Sequence, residues 1–502
     1  MRYIDQARDL IKHLNNRMGP SPYDIAWMAR LRKPDNGEAR WPDLVTWLIE
    51  HQHPDGSWGG EIVYYHDRII CTLAAAIALR ENGDSQAARG AIRRAERYIW
   101  HHLHLLPRDP FELVGFELIL PTLLEEARSL NLDVPTHACG YGHVQTAKLR
   151  LIPPEMLYSP DISTVHSLEF LGREGDAERM RLAKAVNGSL GNSPSATAYY
   201  LNLSKDDEDA LAYLESIRSH MGHVIYLYPF TTFELAWVLN NLIFSGLPIK
   251  EFADAATLAK LATEMGEAGV GLDATFGISD ADTTSVSLCL MAQAGYDVDP
   301  AILHQFEDQD KHTFRTYPYE RNLSVSTNVH ALDALRWMPD YPNREEVRKQ
   351  VVATLLDSRQ YNVYWTDKWH ASPYYATAHT LTALVKEGAY LAAACRHTID
   401  WILHTQHTDG SWGFFQVGTA EETAYALTAL LHVYQHSRQQ QLGIETDVLH
   451  RGAAYLARMH EEGTPYPDLW LGKNLYKPYD VVRSAILAAL ILYETTFGHA
   501  PR

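Results

Sequence analysis

The stretch Asp280-Ala281-Asp282-Thr283-Thr284 sets two carboxylates one residue apart at the start of an apolar helical run, Ser285 to Met291. A carboxyl group that faces an apolar cavity beside a second carboxyl is disfavoured as an anion twice, by desolvation and by like charge. It then stays protonated near neutral pH and can serve as a general acid. Protonating a carbon–carbon double bond is the simplest use for such an acid. Two other readings compete on these residues alone. Either Asp could be the helix N-cap, bonding the first free amides, or the pair could ligate Mg2+.

Helices must position these groups, because helical periodicity recurs from end to end and strand signals are few. One unit appears twice in strong form. Trp41–Gln52 leads into Asp55-Gly-Ser-Trp-Gly59 and a second helix; Trp401–Gln406 leads into Asp409-Gly-Ser-Trp-Gly413 and the helix from Glu421 to Tyr434. Weaker echoes stand at Asn187-Gly-Ser-Leu-Gly191 and Gly269-Val-Gly271. The role of this motif is structural: glycine permits a left-handed turn, the indole fills the gap between helix layers, and the Gln ties helix ends. Repetition of helix, plugged turn and helix predicts an all-α chain of α/α barrels. Two copies so far apart predict two barrels, with seams near Pro153-Pro154, Ser159-Pro160 and Tyr228-Pro229.

The 502 residues are 46% hydrophobic and 21% charged, which suits a large globular protein, and the net charge of −18 argues against nucleic acid and anionic membranes as partners. Cys71, Cys139, Cys289 and Cys395 show no metal-type spacing and read as core residues of a reducing compartment. The first ten residues are amphipathic and carry acids, unlike a secretory signal. The longest apolar runs, Ile69–Leu79 and Ala485–Tyr493, fall short of the ~20 residues of a membrane span. A cytoplasmic location is the expectation.

Taken together, a set of motifs resembles the class II diterpene cyclases. They are Ser21-Pro-Tyr-Asp-Ile-Ala-Trp27, Asp55–Gly59 with Asp67-Arg68, Gly115-Phe-Glu117 with Pro121, Val165-His-Ser-Leu-Glu169 and Ser193–Ala198. Phe233-Glu234 with Trp237, the acidic Asp280–Thr284, Asp367-Lys-Trp369 and Leu469–Tyr476 complete the order. The resemblance implies two α-helical barrels, γ and β, with the active site between them. It assigns residues 1–20 to the first helix of the β domain, 21–225 to an inserted γ domain and 226–502 to the rest of the β domain.

Further expectations follow from the resemblance. The family's Asp-x-Asp-Asp motif makes Asp282 the proton donor; Thr283 replaces the last Asp, leaving Asp280 as the adjacent carboxylate. Asn328 corresponds to the residue that orients the acid's proton. The substrate is geranylgeranyl diphosphate, with Lys148, Lys368 and Lys473 as its cations. Mg2+ accompanies the diphosphate, and of the family's acidic cluster only Asp109 remains, with Glu117 from Gly-Phe-Glu. The sole Asp-Asp pair, Asp206-Asp207, lacks the fifth-position Asp of a diphosphate-ionising motif. The product therefore keeps its diphosphate, and a class I synthase or a phosphatase would consume it downstream.

In relatives that form ent-copalyl diphosphate, a His and an Asn hold the water that ends the reaction early. The His corresponds to His166, while Tyr226 stands at the Asn position. The broken dyad predicts a rearranged clerodane- or halimane-type product, kolavenyl or halimadienyl diphosphate, over plain copalyl diphosphate. Two rival readings remain: a squalene-type triterpene cyclase, and a non-catalytic α/α-barrel protein that binds isoprenoid or glycan.

Overall fold

The computed structural model describes residues 2–136, 140–318, 320, 322–388, 394–415, 417–437 and 444–501. Helices dominate them, and strands occur only as short two-stranded pairs. Thr231–Ile243, Ala281–Ala294, Val325–Leu335, Pro373–Glu387, Ala420–Ser437 and Tyr479–Phe497 each pack on the next, and the last returns to the first. This closed ring is one α/α barrel. A second ring runs through Pro22–Ala29, Tyr65–Asn82, Phe116–Ser129, the 3-10 stretch Ser163–Glu174 and Pro194–Ser204. The helix Arg2–Lys12 precedes the second ring in sequence but packs against Tyr479–Phe497 of the first.

The inner helices are buried on every face, so their apolar residues show no stripe, whereas outer helices such as Gln86–His102 bury one face only. One lock joins the turns to the inner helices. Trp58 and Trp412 donate their backbone amides to Thr72 and Thr423, and their indole N–H groups to the carbonyls of Leu48 and Ile402. Leu190 and Val270, in the weaker copies, donate to Thr197 and Thr284. A further copy, Trp365 with Thr377 and Leu355, lacks the Asp-Gly signal. Gln52 and Gln406 each bond the turn glycine's carbonyl and a neighbouring helix, at Ala91 and Val448. At Gly410, with φ +93°, a Cβ would meet the Arg451 carbonyl oxygen at 2.5 Å, so only glycine fits there.

A hairpin of Trp470–Leu471 and Leu475–Tyr476 joins the rings. The Gly472 carbonyl accepts from the Val114 amide, Asn474 accepts from Ser21, and the Leu475 amide donates to Asp67. Cys71, Cys289 and Cys395 are buried and unpaired, and Cys139 lies outside the described residues. Among the described residues, no helix is long and apolar enough to cross a membrane.

Candidate active site

Asp280 is the N-cap of helix Ala281–Ala294: its carboxylate accepts from the Thr283 amide at 2.6 Å and the Thr283 hydroxyl at 2.9 Å. Thr283 thus supplies a donor where a third carboxylate would add like charge. Burial pushes the Asp280 carboxyl up to about 7, the Thr283 amide opposing and the Asp282 charge adding. Two residues on, Asp282 points elsewhere. His330 Nδ1 lies 2.5 Å from its Oδ1, and the Ser326 oxygen, whose hydroxyl proton goes to Asp367 at 3.0 Å, lies 3.4 Å from Oδ2 of Asp282. Burial on its own lowers the His330 pKa, but the charge and hydrogen bond of Asp282 outweigh it and raise the value.

Asn328 does not hold the acid. Its amide group is spent on backbone, donating to the carbonyls of Phe314 and Ser324 and accepting from the Phe314 amide. His330 stands in its place, on the helix face that also carries Ser326. Asp367 fixes that helix: its carboxylate accepts from the amides of Val325 and Ser326 and the hydroxyls of Ser324 and Ser326. An anion at a helix N-terminus is the stable arrangement there. In Asp-Lys-Trp the working residue is therefore the Asp.

Aromatic rings run without a break from the Asp282–His330 pair to His166. His330 meets Trp237 at 5.6 Å, Trp237 meets Phe233 at 4.5 Å, and Phe233 meets Trp470 at 5.9 Å. Trp470 then meets Tyr476 at 6.2 Å, Tyr476 meets Tyr226 at 5.0 Å, and Tyr226 meets His166 at 5.3 Å. At that end the pair is joined directly, without room for a water between them: His166 Nε2 and the Tyr226 hydroxyl are 3.0 Å apart. His166 Nδ1 donates to the Gly191 carbonyl at 2.7 Å, so Nε2 accepts from Tyr226. Burial, helped by the Lys473 ammonium, lowers the His166 pKa to about 3. Gly472 makes room for the tyrosine; a Cβ there would lie 2.4 Å from its ring.

The expected cations fare differently. Lys473 is fully buried and bonds the His166 carbonyl, Glu169, Ser193 and Ser195, so it is a rivet between the rings and not a diphosphate ligand. Lys368 is paired with Glu320, bonds the Asn322 carbonyl and lies over the Trp369 ring. Lys148, half exposed on helix Tyr141–Leu149, is paired with Glu117. The proposed metal ligands do not converge. Asp109 accepts from the His66 amide and pairs with its ring at 2.8 Å, while Glu117 faces Lys148. Among the described residues no group of three or more His, Cys, Asp or Glu is placed to hold a metal ion. These side chains do not fit a protein-built Mg2+ site.

Comparison with known proteins agrees with this architecture. No family model matches the chain. It is 36% identical to the type B diterpene cyclase of Mycobacterium tuberculosis over 96% of this chain and 97% of that one. It is 33% identical to the ent-copalyl diphosphate synthase of Streptomyces sp. KO-3988, over 89% and 87% of the two chains. The solved ent-copalyl diphosphate synthase of Streptomyces platensis superposes with a TM-score of 0.79 at 29% identity, covering 98% of this chain and 99% of that chain. Identity of this extent along the whole chain sets aside the non-catalytic reading. The chain belongs to the class II diterpene cyclases, enzymes of the intramolecular lyase and isomerase type.

Proposed function

We propose that Asp282 protonates the terminal double bond of geranylgeranyl diphosphate and that the resulting cation closes two rings with the diphosphate retained. The observation that carries this reading is the Asp282–His330 pair, buried at one end of a wall of aromatic rings. An alkene is a very weak base, so its acid must be strong. An imidazolium against Oδ1 favours the carboxylate left behind and so strengthens the acid. The Asp282 charge in turn raises the His330 pKa against burial, so the imidazolium is held as the carboxylate forms. Aromatic faces then stabilise positive charge along the folded chain.

The other end of the wall supports a late quench. To end the reaction, the Tyr226 oxygen takes a proton from the cation while its own proton passes to His166 Nε2. An imidazole whose pKa lies at about 3 is a poor acceptor, so hydride and methyl shifts have time to run. The favoured product is therefore a rearranged clerodane- or halimane-type diphosphate, such as kolavenyl or halimadienyl diphosphate. The similarity to ent-copalyl diphosphate synthases supports the second reading, an unrearranged copalyl diphosphate. Lys148 is the cation we assign to the diphosphate, which would displace Glu117; any Mg2+ would be held by diphosphate oxygens and water. A class I synthase or a phosphatase would act on the product.

The test is incubation with geranylgeranyl diphosphate and Mg2+, phosphatase treatment, and identification of the alcohol by mass spectrometry and NMR. A bicyclic alcohol from the native enzyme and none from Asp282→Asn supports the reading. Product from Asp282→Asn overturns it.

A further inference from the structure

Glu421 lies in the first turn of the inner helix Ala420–Ser437 and is fully buried in the barrel that carries Asp282. Its Oε1 accepts three hydrogen bonds: from the Trp470 indole N–H at 2.9 Å, from His370 Nε2 at 3.2 Å and from the Tyr425 hydroxyl at 3.2 Å. None of the three donors brings a charge. Ser372 is a helix N-cap, which occupies its carbonyl, so its amide donates to His370 Nδ1 at 3.1 Å and the ring's proton sits on Nε2. Oε2 of Glu421 is buried with no hydrogen-bond partner among the described residues, so a proton placed there would find no acceptor. Among the same residues no lysine or arginine is paired with this carboxylate. Glu422 next to it is different, because both its oxygens are taken up by Ser372, the Phe414 amide and Thr419. A charge withdrawn from water without a counter-charge is costly, and neutral hydrogen bonds offset only part of that cost. Such a group is a candidate for function.

We infer that Glu421 is a fixed counter-charge for the cyclising cation and acts through the Trp470 ring. Trp470 stands midway along the aromatic wall, meeting Phe233 at 5.9 Å on the Asp282 side and Tyr476 at 6.2 Å on the His166 side. A carboxylate bonded to the indole N–H makes the ring's face more negative, and a buried site screens that field little. The positive charge arises at the Asp282 end and is removed at the Tyr226 end, so it passes this point. The carboxylate is already in place, which spares any reorganisation during the reaction. The substrate's hydrocarbon chain is uncharged before protonation, so the attraction lowers the barrier without tightening ground-state binding. Glu421 is therefore a positioning residue for charge, not a group that touches reacting atoms. The inference rests on the reading of the chain as a protonating cyclase.

The test separates charge from shape in two variants. Glu421→Gln keeps the size and loses the charge, whereas Glu421→Asp keeps the charge and loses the fit. Each is titrated beside the native enzyme with two inhibitors. One is a geranylgeranyl diphosphate analogue with a tertiary ammonium in place of the carbon that becomes the ring-fusion cation; the other is its neutral carbon counterpart. Glu421→Gln should lose at least about tenfold in affinity for the ammonium analogue and less than about twofold for the neutral one. Its kcat should fall at least about tenfold with KM within about twofold of native. Glu421→Asp should stay within about threefold of native on each count. A carboxyl with only a structural role would make Asp the worse variant and weaken both analogues alike. Either of those results, or native affinity of Glu421→Gln for the ammonium analogue, overturns the inference. So does a native enzyme that fails to prefer the ammonium analogue, a result that needs no variant to fold. Failure of the acid reading is separate, since the inhibitors bind without proton transfer and that failure shows as product from Asp282→Asn.

Discussion

Replacing His330 by Gln tests the acid pair with little change of shape. Gln can keep a neutral N–H near Asp282 Oδ1, but it removes the cation now 2.5 Å away. A hydrogen bond to a charged group contributes about 1.5–3 kcal/mol, against about 1 for a neutral one. If the whole of that difference, about 0.5–2 kcal/mol, is felt in the transition state, kcat falls roughly 2.3- to 30-fold, at 1.36 kcal/mol per tenfold. KM should change little, because the substitution acts on acid strength, which is felt only in the transition state. Asn328→Ala is the control. It strips three hydrogen bonds from backbone groups of Phe314 and Ser324, so it should lower the melting temperature while kcat stays within about threefold of native. Initial rates come from gas chromatography of the dephosphorylated product, with circular dichroism to verify folding. A His330→Gln enzyme within about twofold of native, or an Asn328→Ala enzyme that is slower than it, refutes the assignment.

Gly472→Ala puts a Cβ where the Tyr226 ring now sits, so the ratio of rearranged to unrearranged diphosphate should shift; an unchanged product profile counts against Tyr226 as part of the quench. Lys473→Met leaves Glu169 charged and unpaired in the core, a loss of about 3–5 kcal/mol that thermal denaturation reads, with no selective rise in KM. Lys148→Ala should do the reverse, raising KM for the diphosphate with little effect on melting. The His330 pKa lies above 6.5 in the folded protein, so the pair's stabilisation is complete below about 6.5 and is lost as pH rises through the raised value. A melting temperature that declines on the alkaline side, with the decline smaller in His330→Gln, is the expected pattern.

Where the sequence was readable, local rules sufficed. The Asp-Gly-Ser-Trp-Gly turns, and even their faint Leu190 and Val270 copies, show themselves by spacing because each must lock to a threonine on the next helix. The Trp365 copy is silent because its turn uses Tyr361 and Asn362 at positive φ in place of glycine. Asp280 reads as a cap for the same local reason. The partner of Asp282 was harder. Ser324 and Asn328 share one face of their helix, Ser326 and His330 another, and only the barrel's closure decides which face meets Asp282. That Ser-x-x-x-His spacing was the available signal. Lys473 looks like any lysine until the two rings close over it, since its four acceptors come from a segment 278 to 307 residues earlier.

The most direct measurement of the central claim is cyclisation in D2O. Asp282, its proton exchanged for deuterium, should deliver one deuteron to the former terminal alkene. The dephosphorylated product should then weigh one mass unit more than that made in H2O, with the label on the ring methylene carbon that was the CH of the terminal alkene and the diphosphate still present before phosphatase treatment. A product without deuterium, or one that has already shed its diphosphate, would contradict protonation of the alkene by this acid.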